Sequence, residues 1–497
     1  MSDPRRTRGR RAGVSFKRGL AWTTAGQASY FVIQFTGSVI LARLLTPFEL
    51  GVYTLAVAIV GILNIVQSIG LGAYLVREAE LSPDKIASAF AVNTIISISL
   101  AAAICGLALA GDLVTADPGV KHVLLILAIS PLINIFGIIP WSLMERDADF
   151  RTQSIINVVR SILATVATVS LAWLGYSYFS IAWGQVMGMV VSTVMLNVMA
   201  RRHAHVRWSL AHWREIGRFG VQMVAISGVN TIAARASDIL LGRLLGIVAL
   251  GLFNRASGLF NQFWENLHNV FGRVVFAELA RQKREDRSLR DTYLTISEGV
   301  SAVLWPLFTG LAVLAAPLIR IMYGAKWSGA IQPFQYLALA GVVQITVTMT
   351  WEIFVVSNAT GLQARLEAIR TVAGTAMFGL GCLVSFQAAA MARVAEALVQ
   401  AVLFRPHIQR MTDTRFADMT PIYARSGLLT LLAVAPAAML VHGRGAAAEL
   451  LTVGQILAVV AAGGLLWAAG LVAMRHPLYR QAQGLLAARR RTVADVA

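Results

Sequence analysis

Long apolar runs alternate with short polar segments along almost the whole chain. The runs are close to the length of about 20 residues that a helix needs to cross the hydrocarbon core of a bilayer. The pattern predicts helices at 20–42, 50–76, 86–110, 122–144, 154–174, 179–200, 219–245, 250–276, 293–319, 331–356, 366–386, 388–404, 427–442 and 450–474. The twelfth carries Arg393 and Glu396, and the thirteenth is short. The expected fold class is an all-α polytopic membrane protein of about 14 transmembrane helices.

Composition narrows the choice further. Of 497 residues 57% are apolar and 14% charged, against roughly 25% charged in a soluble domain. That deficit excludes a single soluble enzyme and a disordered chain. The net charge of +18 does not indicate nucleic acid, because the basic residues punctuate apolar runs instead of forming a wettable face. With the N-terminus placed in the cytoplasm, 32 of the 43 Lys and Arg residues fall in cytoplasmic segments and 6 in external ones, the positive-inside bias of a multi-pass protein with both termini cytoplasmic. The basic stretch before Leu20 reads as a cytoplasmic lead-in, because the apolar run from Leu20 to about Leu45 is too long for a signal peptide core. Cys105 and Cys382 lie far apart inside apolar runs, with no Cys/His metal spacing. No GxxxxGK[ST] loop is present. No cofactor is expected.

A repeat occurs at an offset of 200 residues. LARLLTPFELGVY (41–53) aligns without gaps with LGRLLGIVALGLF (241–253), matching Leu41, Arg43, Leu44, Leu45, Leu50 and Gly51 to Leu241, Arg243, Leu244, Leu245, Leu250 and Gly251. Six spans separate the copies, so they run in the same direction, as in transporters with parallel repeats. The expected organisation is a basic N-tail (1–18), an N-terminal six-helix bundle (19–205), a C-terminal six-helix bundle (206–410), two added helices (411–475) and a basic C-tail (476–497).

Three stretches carry a family resemblance: SVILARLLTPFELGVYTLA (38–56), ASDILLGRLLGIVALGLFNRA (236–256) and IRIMYGAKWSGAIQPFQYLAL (319–339). Together they resemble the lipopolysaccharide and exopolysaccharide flippases of the multidrug/oligosaccharidyl-lipid/polysaccharide (MOP) exporter superfamily. The resemblance covers roughly residues 15–410. It implies two bundles that alternate access across the bacterial cytoplasmic membrane and a polyprenyl-diphosphate-linked oligosaccharide as substrate. It also implies membrane lipids as surroundings, a proton or sodium ion as coupling ion, and polysaccharide polymerase and glycosyltransferase partners. No nucleic acid is involved. Drug or lipid II export within the same superfamily is the alternative. A membrane polymerase or ligase is disfavoured by the absence of a large external loop.

The candidate residues are the ionisable groups inside the spans, because a charge at mid-bilayer costs roughly 2.5–3.5 kcal/mol and must face a cavity or a partner. Arg235 and Asp238 stand three apart on helix 7, within pairing reach, as either a gated pair for diphosphate and proton or a structural pair. On helix 8, Asn254, Asn261, Glu265 and His268 form one helical stripe expected to line a hydrated cavity. Arg255 beside it is the candidate phosphate contact, since guanidinium binds phosphate oxygens bidentately. Glu352 in helix 10 is either a proton-coupling carboxylate or an interfacial residue. Arg393 and Glu396 in helix 12 repeat the three-residue spacing: Arg393 is a further cavity candidate and Glu396 a further coupling candidate, with a structural pair the alternative. The amides of the first bundle, among them Gln67, Asn93 and Gln185, could hold the glycan.

Overall fold

The computed structural model describes residues 27, 29–67, 70–110, 117–199, 201, 207–285, 287–479 and 483; of 66, 222–227, 229–230, 267–271, 273–274 and 446 it describes the backbone alone. The helices are, in chain order, α1 (Ser29–Leu44), α2 (Pro47–Gln67), α3 (Leu71–Arg77), α4 (Pro83–Leu109), α5 (Pro118–Leu127), α6 (Ile129–Asn134), α7 (Ile138–Arg146), α8 (Phe150–Trp173), α9 (Phe179–Met199), α10 (Trp213–Leu244), α11 (Ile247–Arg284), α12 (Arg290–Val313), α13 (Ala315–Tyr323), α14 (Ile331–Ile345), α15 (Thr350–Val356), α16 (Thr360–Val384), α17 (Phe386–Thr412), α18 (Phe416–Arg444) and α19 (Val453–Ala473). The protein is an all-α, multi-pass membrane protein. Among the described residues ten helical segments are long and apolar enough to cross a membrane, and up to eleven when α5–α6 and α7, bent by 48° at their junction, count as one span. The helices α10 and α11 are not among them, although they have 32 and 38 residues. Polar side chains, and not want of length, keep them out.

Local chemistry sets the helix starts. Ser82 caps α4 by accepting from the Lys85 N–H, with Pro83 in the first turn, where its missing N–H costs nothing. Asp149 caps α8 through the Thr152 N–H, and Thr452 and Gln455 form a reciprocal capping box on α19.

Several expected spans are broken. The second ends at Gln67, and a new helix begins after Gly70, whose φ of 65° suits glycine. The fourth is divided into α5, α6 and α7. The tenth breaks between Ile345 and Thr350, where Met349 takes the left-handed φ of 57°, a conformation that costs a non-glycine residue of order 1–3 kcal/mol. The carbonyl freed by this break is satisfied from other helices. Arg405 Nη1 donates to Thr346 O at 3.1 Å and the Tyr423 hydroxyl donates to it at 2.8 Å. Such cross-helix partners are what membrane-embedded irregular backbone requires. The twelfth span, which carries Arg393 and Glu396, and the thirteenth, expected to be short, are full helices of 27 and 29 residues that continue through Pro406, Pro421 and Pro436.

The chain divides into two compact units, Met1–Gly251 and Leu252–Ala497. In the first, α10 packs on α2, α3 and α4, and α8 pairs with α9. At one end of this unit Arg146 of α7 donates to the carbonyls of Leu75 at 2.8 Å and Ala79 at 3.1 Å, closing the exposed C-terminal end of α3. The repeat also becomes a contact here. Pro47 and Ile247 open α2 and α11 at equivalent repeat positions, and Gly51 and Gly251 follow one turn later. The Ile247 carbonyl oxygen occupies the place where Gly51 would carry a Cβ, and the Pro47 carbonyl oxygen does the same at Gly251.

In the second unit α12 packs on α14 and α18, α16 on α17, and α18 on α19. The added helices are pinned by Trp467, whose Nε1 donates to Ala302 O at 2.8 Å, and by Ser426 Oγ with Ser301 Oγ at 3.2 Å. Just beyond α19, the fully buried His476 lies 3.6 Å from Glu298 of α12, which Arg425 of α18 also contacts at 3.2 Å. Burial, then the nearby Arg425, push the His476 imidazole below its usual pKa against the opposing pull of Glu298. A depressed folded value means that the histidine contributes fully above its unfolded pKa, about 6.5, and that stability falls as pH drops below it toward the folded value. Thermal unfolding followed from pH 7.5 to 5.5 should therefore show a fall in midpoint that His476→Phe removes. An unchanged pH slope in the variant would refute this.

Candidate functional site: polar faces and embedded charges

In the first unit, Arg235 and Asp238 face each other along α10 with Nη1 and Oδ2 3.6 Å apart and both half-buried. Gly61 of α2 gives Arg235 its place, because a Cβ there would come within 2.7 Å of Nε. Tyr53 of α2 donates its hydroxyl proton to Gln185 of α9. The amides that sequence reading offered to a glycan are engaged in packing. Asn93 Nδ2 lies 3.5 Å and 3.4 Å from the carbonyl oxygens of Asn134 and Ile135, at the α6–α7 break, and Gln67 donates to Ser97 at 3.1 Å. Unwound backbone there needs donors, and these side chains supply them.

In the second unit, α11 separates its faces. Phe253, Ala256, Leu259 and Phe260 are buried, whereas Asn261 and Glu265 are exposed on the opposite side with Asn254 partly exposed. His268 continues the same backbone stripe, with its side chain outside the described residues.

Arg255 departs from the stripe. Its guanidinium lies over the rings of Tyr323 and Trp327, 5.0 Å from each centroid, and both rings are essentially buried, at 1% and 0% exposure. The structure thus places this candidate phosphate contact in an aromatic box. The FNRA stretch and the YGAKWSG stretch hold one another. Gly329 in the 3-10 turn Ala325–Ala330 completes the fit, since a Cβ there would press on Leu252. Cation–π contacts of a desolvated guanidinium are worth about 2 kcal/mol, so Arg255→Ala should lower unfolding stability in detergent by about that amount. A midpoint equal to wild type would show that the box contributes nothing.

Glu352 sits in α15 at 3% exposure, with Gly272 of α11 leaving room for its carboxylate. Its side chain is buried within the second unit, just after the α14–α15 break.

Arg393 and Glu396 do pair, at 2.8 Å, yet they are half of a larger array. Arg370 of α16 bonds Glu396 across the helix pair and grips Glu367 with two donors, at 3.1 Å and 2.5 Å. Gly374 makes space for Glu396, because a Cβ would meet its Cδ at 2.5 Å. Arg393 also covers the Phe378 ring at 4.2 Å. The eleventh span was expected to begin at 366. The helix begins at Thr360, so Arg370 lies almost three turns inside it.

Comparison with known proteins adds the lineage. The family described as "Polysaccharide biosynthesis protein" matches residues 40–332, a range that takes in the α2 repeat motif, the polar face of α11 and most of the aromatic box. The chain belongs to this family. The succinoglycan biosynthesis transport protein ExoT of Rhizobium meliloti (strain 1021) is 26% identical over 65% of this chain, and the match spans 65% of that protein's length. The lipopolysaccharide biosynthesis protein WzxC of Escherichia coli (strain K12) is 21% identical over 66% of this chain and 67% of its own. Among solved structures, the lipid II flippase MurJ in an inward closed conformation superposes with a TM-score of 0.71 at 13% identity, covering 92% of this chain and 99% of that one. An inward-facing multidrug resistance MATE family transporter of the MOP superfamily superposes at 0.60, also with 13% identity, over 78% and 96%. The family member therefore has the fold of these transporters.

Proposed function

We propose that this protein is a flippase that carries a polyprenyl-diphosphate-linked oligosaccharide from the inner to the outer leaflet of the bacterial cytoplasmic membrane for surface polysaccharide synthesis. One observation carries the reading beyond family and fold. The two helices α10 and α11 are long enough to span a bilayer, and they hold an Arg235–Asp238 pair and an exposed amide and carboxylate face. In hydrocarbon such groups would be costly, so each helix turns them toward water or a polar headgroup, while the polyprenyl tail stays in lipid. With α1, α10, α11 and the bent α5–α7 segment added to the ten apolar spans, the chain makes fourteen crossings with both termini in the cytoplasm. No bond is made or broken, and the protein is a transporter, not an enzyme. Asp238 and Glu352, carboxylates carried within the membrane-embedded helices, are the candidates for proton coupling. Glycosyltransferases supply the substrate on the inner face and a polymerase consumes it on the outer face.

The test is translocation of a fluorescent polyprenyl-diphosphate oligosaccharide in proteoliposomes, with and without an imposed pH gradient. Movement should require the protein and quicken under the gradient. Absence of protein-dependent movement, with folding verified, would overturn the reading in favour of drug export.

A further inference from the structure

The second unit contains a cavity of about 250 Å³ at the α14–α15 break. Its polar lining comprises Gln344 of α14, Gln363 and Glu367 of α16 and Gln400 of α17, and Trp264 of α11 and Trp351 of α15 add indole rings. We propose that this cavity is a binding site for one glycosyl residue of the transported oligosaccharide, a reading that rests on the flippase assignment and locates part of its substrate.

Size is the first argument. A water molecule occupies about 30 Å³ and drug-sized ligands fill roughly 300–1,000 Å³. The cavity therefore exceeds what a few waters need, yet it is too small for an oligosaccharide chain. A single pyranose ring suits it.

Charge is the second. The lining has a single ionisable acidic side chain, Glu367, and its carboxylate is already gripped by two donors of Arg370. A cationic drug would find no uncompensated negative charge, and a phosphate would find no lining cation. A polyprenyl tail would leave three amides unsatisfied. A neutral ligand rich in hydroxyls fits all three facts.

Functional groups are the third. Each glutamine amide offers donors and acceptors together, which matches hydroxyls that both give and receive hydrogen bonds. Glu367 keeps lone pairs beyond those taken by Arg370, and the bidentate grip fixes their direction. Indoles supply broad apolar surfaces for the C–H faces of a sugar ring.

Backbone geometry agrees independently. The wall of the cavity includes Val347, Thr348 and Met349, the residues of the helix break. Met349 there holds a left-handed conformation that its side chain disfavours. Non-helical backbone inside a membrane is tolerated where it lines a cavity, and conformational strain of this type concentrates where ligands bind.

Two measurements on the full-length protein test the proposal. The probe is the oligosaccharide released from the polyprenyl lipid of the producing cells. Equilibrium dialysis should show binding to wild type and at least ten-fold weaker binding to the Gln363→Leu/Gln400→Leu double variant. Thr348→Trp, which fills the cavity, should remove binding, and matched thermal unfolding midpoints verify that each variant is folded. Equal binding by wild type and the double variant, or no binding by wild type at millimolar probe, overturns the proposal. In proteoliposomes carrying the intact lipid-linked oligosaccharide, the double variant should raise the half-saturating concentration about ten-fold. Wild type that binds the free glycan through these glutamines but moves no lipid-linked substrate would keep the site and sink the flippase reading. Wild type that transports while the double variant matches it in both assays would do the reverse.

Discussion

Arg370→Met is expected to destabilise the protein more than any other single charge removal on α16 and α17. Among the described residues Arg370 alone bonds both Glu367 and Glu396, and its side chain is 19% exposed. Removing it leaves Glu396 with Arg393, but it strips Glu367 of the cation that neutralises it. Breaking a fully buried ion pair in this way costs about 3–5 kcal/mol; with Glu367 about one-third exposed, solvent screening reduces the expected loss to about 2 kcal/mol. Replacing a whole pair with apolar residues of similar size is often near neutral. The double variant Arg370→Met/Glu367→Leu should therefore recover much of the loss. Thermal unfolding of the two variants in detergent decides the matter. A single variant within about 1 kcal/mol of wild type would show that water or headgroups screen the array.

The second large effect is expected at the crossing of the two repeat motifs. Gly51→Ala and Gly251→Ala each place a methyl group on a carbonyl oxygen of the other motif. Overpacking a core costs about 1–3 kcal/mol when side chains can yield. Here the obstacle is backbone at the start of a helix, so each substitution should lose about 3 kcal/mol or more. The contact is reciprocal, so the double variant should cost less than the sum of the singles. Gly106→Ala is the control: nothing lies within 4 Å of its Cβ position, and alanine in a helix interior gains about 0.5–1 kcal/mol over glycine. Gly51→Ala melting with wild type would mean that the helices part easily at this point.

The spans were legible because the bilayer imposes one simple demand, a run of apolar residues of fixed length. The breaks were not. Thr346, Val347, Thr348 and Met349 continue the apolar pattern and include no proline or glycine, so nothing in their order announces an interruption. Proline misleads in the opposite sense: α12 runs unbroken through Pro306, and α18 through Pro421 and Pro436. Embedded charges were legible as exceptions to the same demand, and the Arg393–Glu396 pair is present because three residues bring two side chains onto one helix face. The Arg370–Glu396 bond spans 26 residues and two helices, and no local spacing encodes it. Arg255 teaches the same lesson. The sequence displayed both the FNRA and YGAKWSG stretches, but not that one is the container of the other. The glutamine-lined cavity draws its amides and carboxylate from three helices, α14, α16 and α17, and part of its wall from the α14–α15 turn, and only folding assembles it.

The array on α16 and α17 has an electrical consequence. Glu367, Arg370, Arg393 and Glu396 sum to zero charge. Moving one elementary charge across a membrane potential of 100 mV exchanges about 2.3 kcal/mol. Displacing the four groups together exchanges almost none. The array itself is neither driven nor opposed by the potential, and the cations on these helices that it leaves unbalanced are Arg365, Arg405 and Arg410. Voltage dependence measured for transport must then arise outside the array, from those cations, from the diphosphate of the cargo or from a travelling ion. A flux that stays voltage-dependent after Arg370→Met/Glu367→Leu, a change that preserves neutrality, would be the electrical signature of that division of labour.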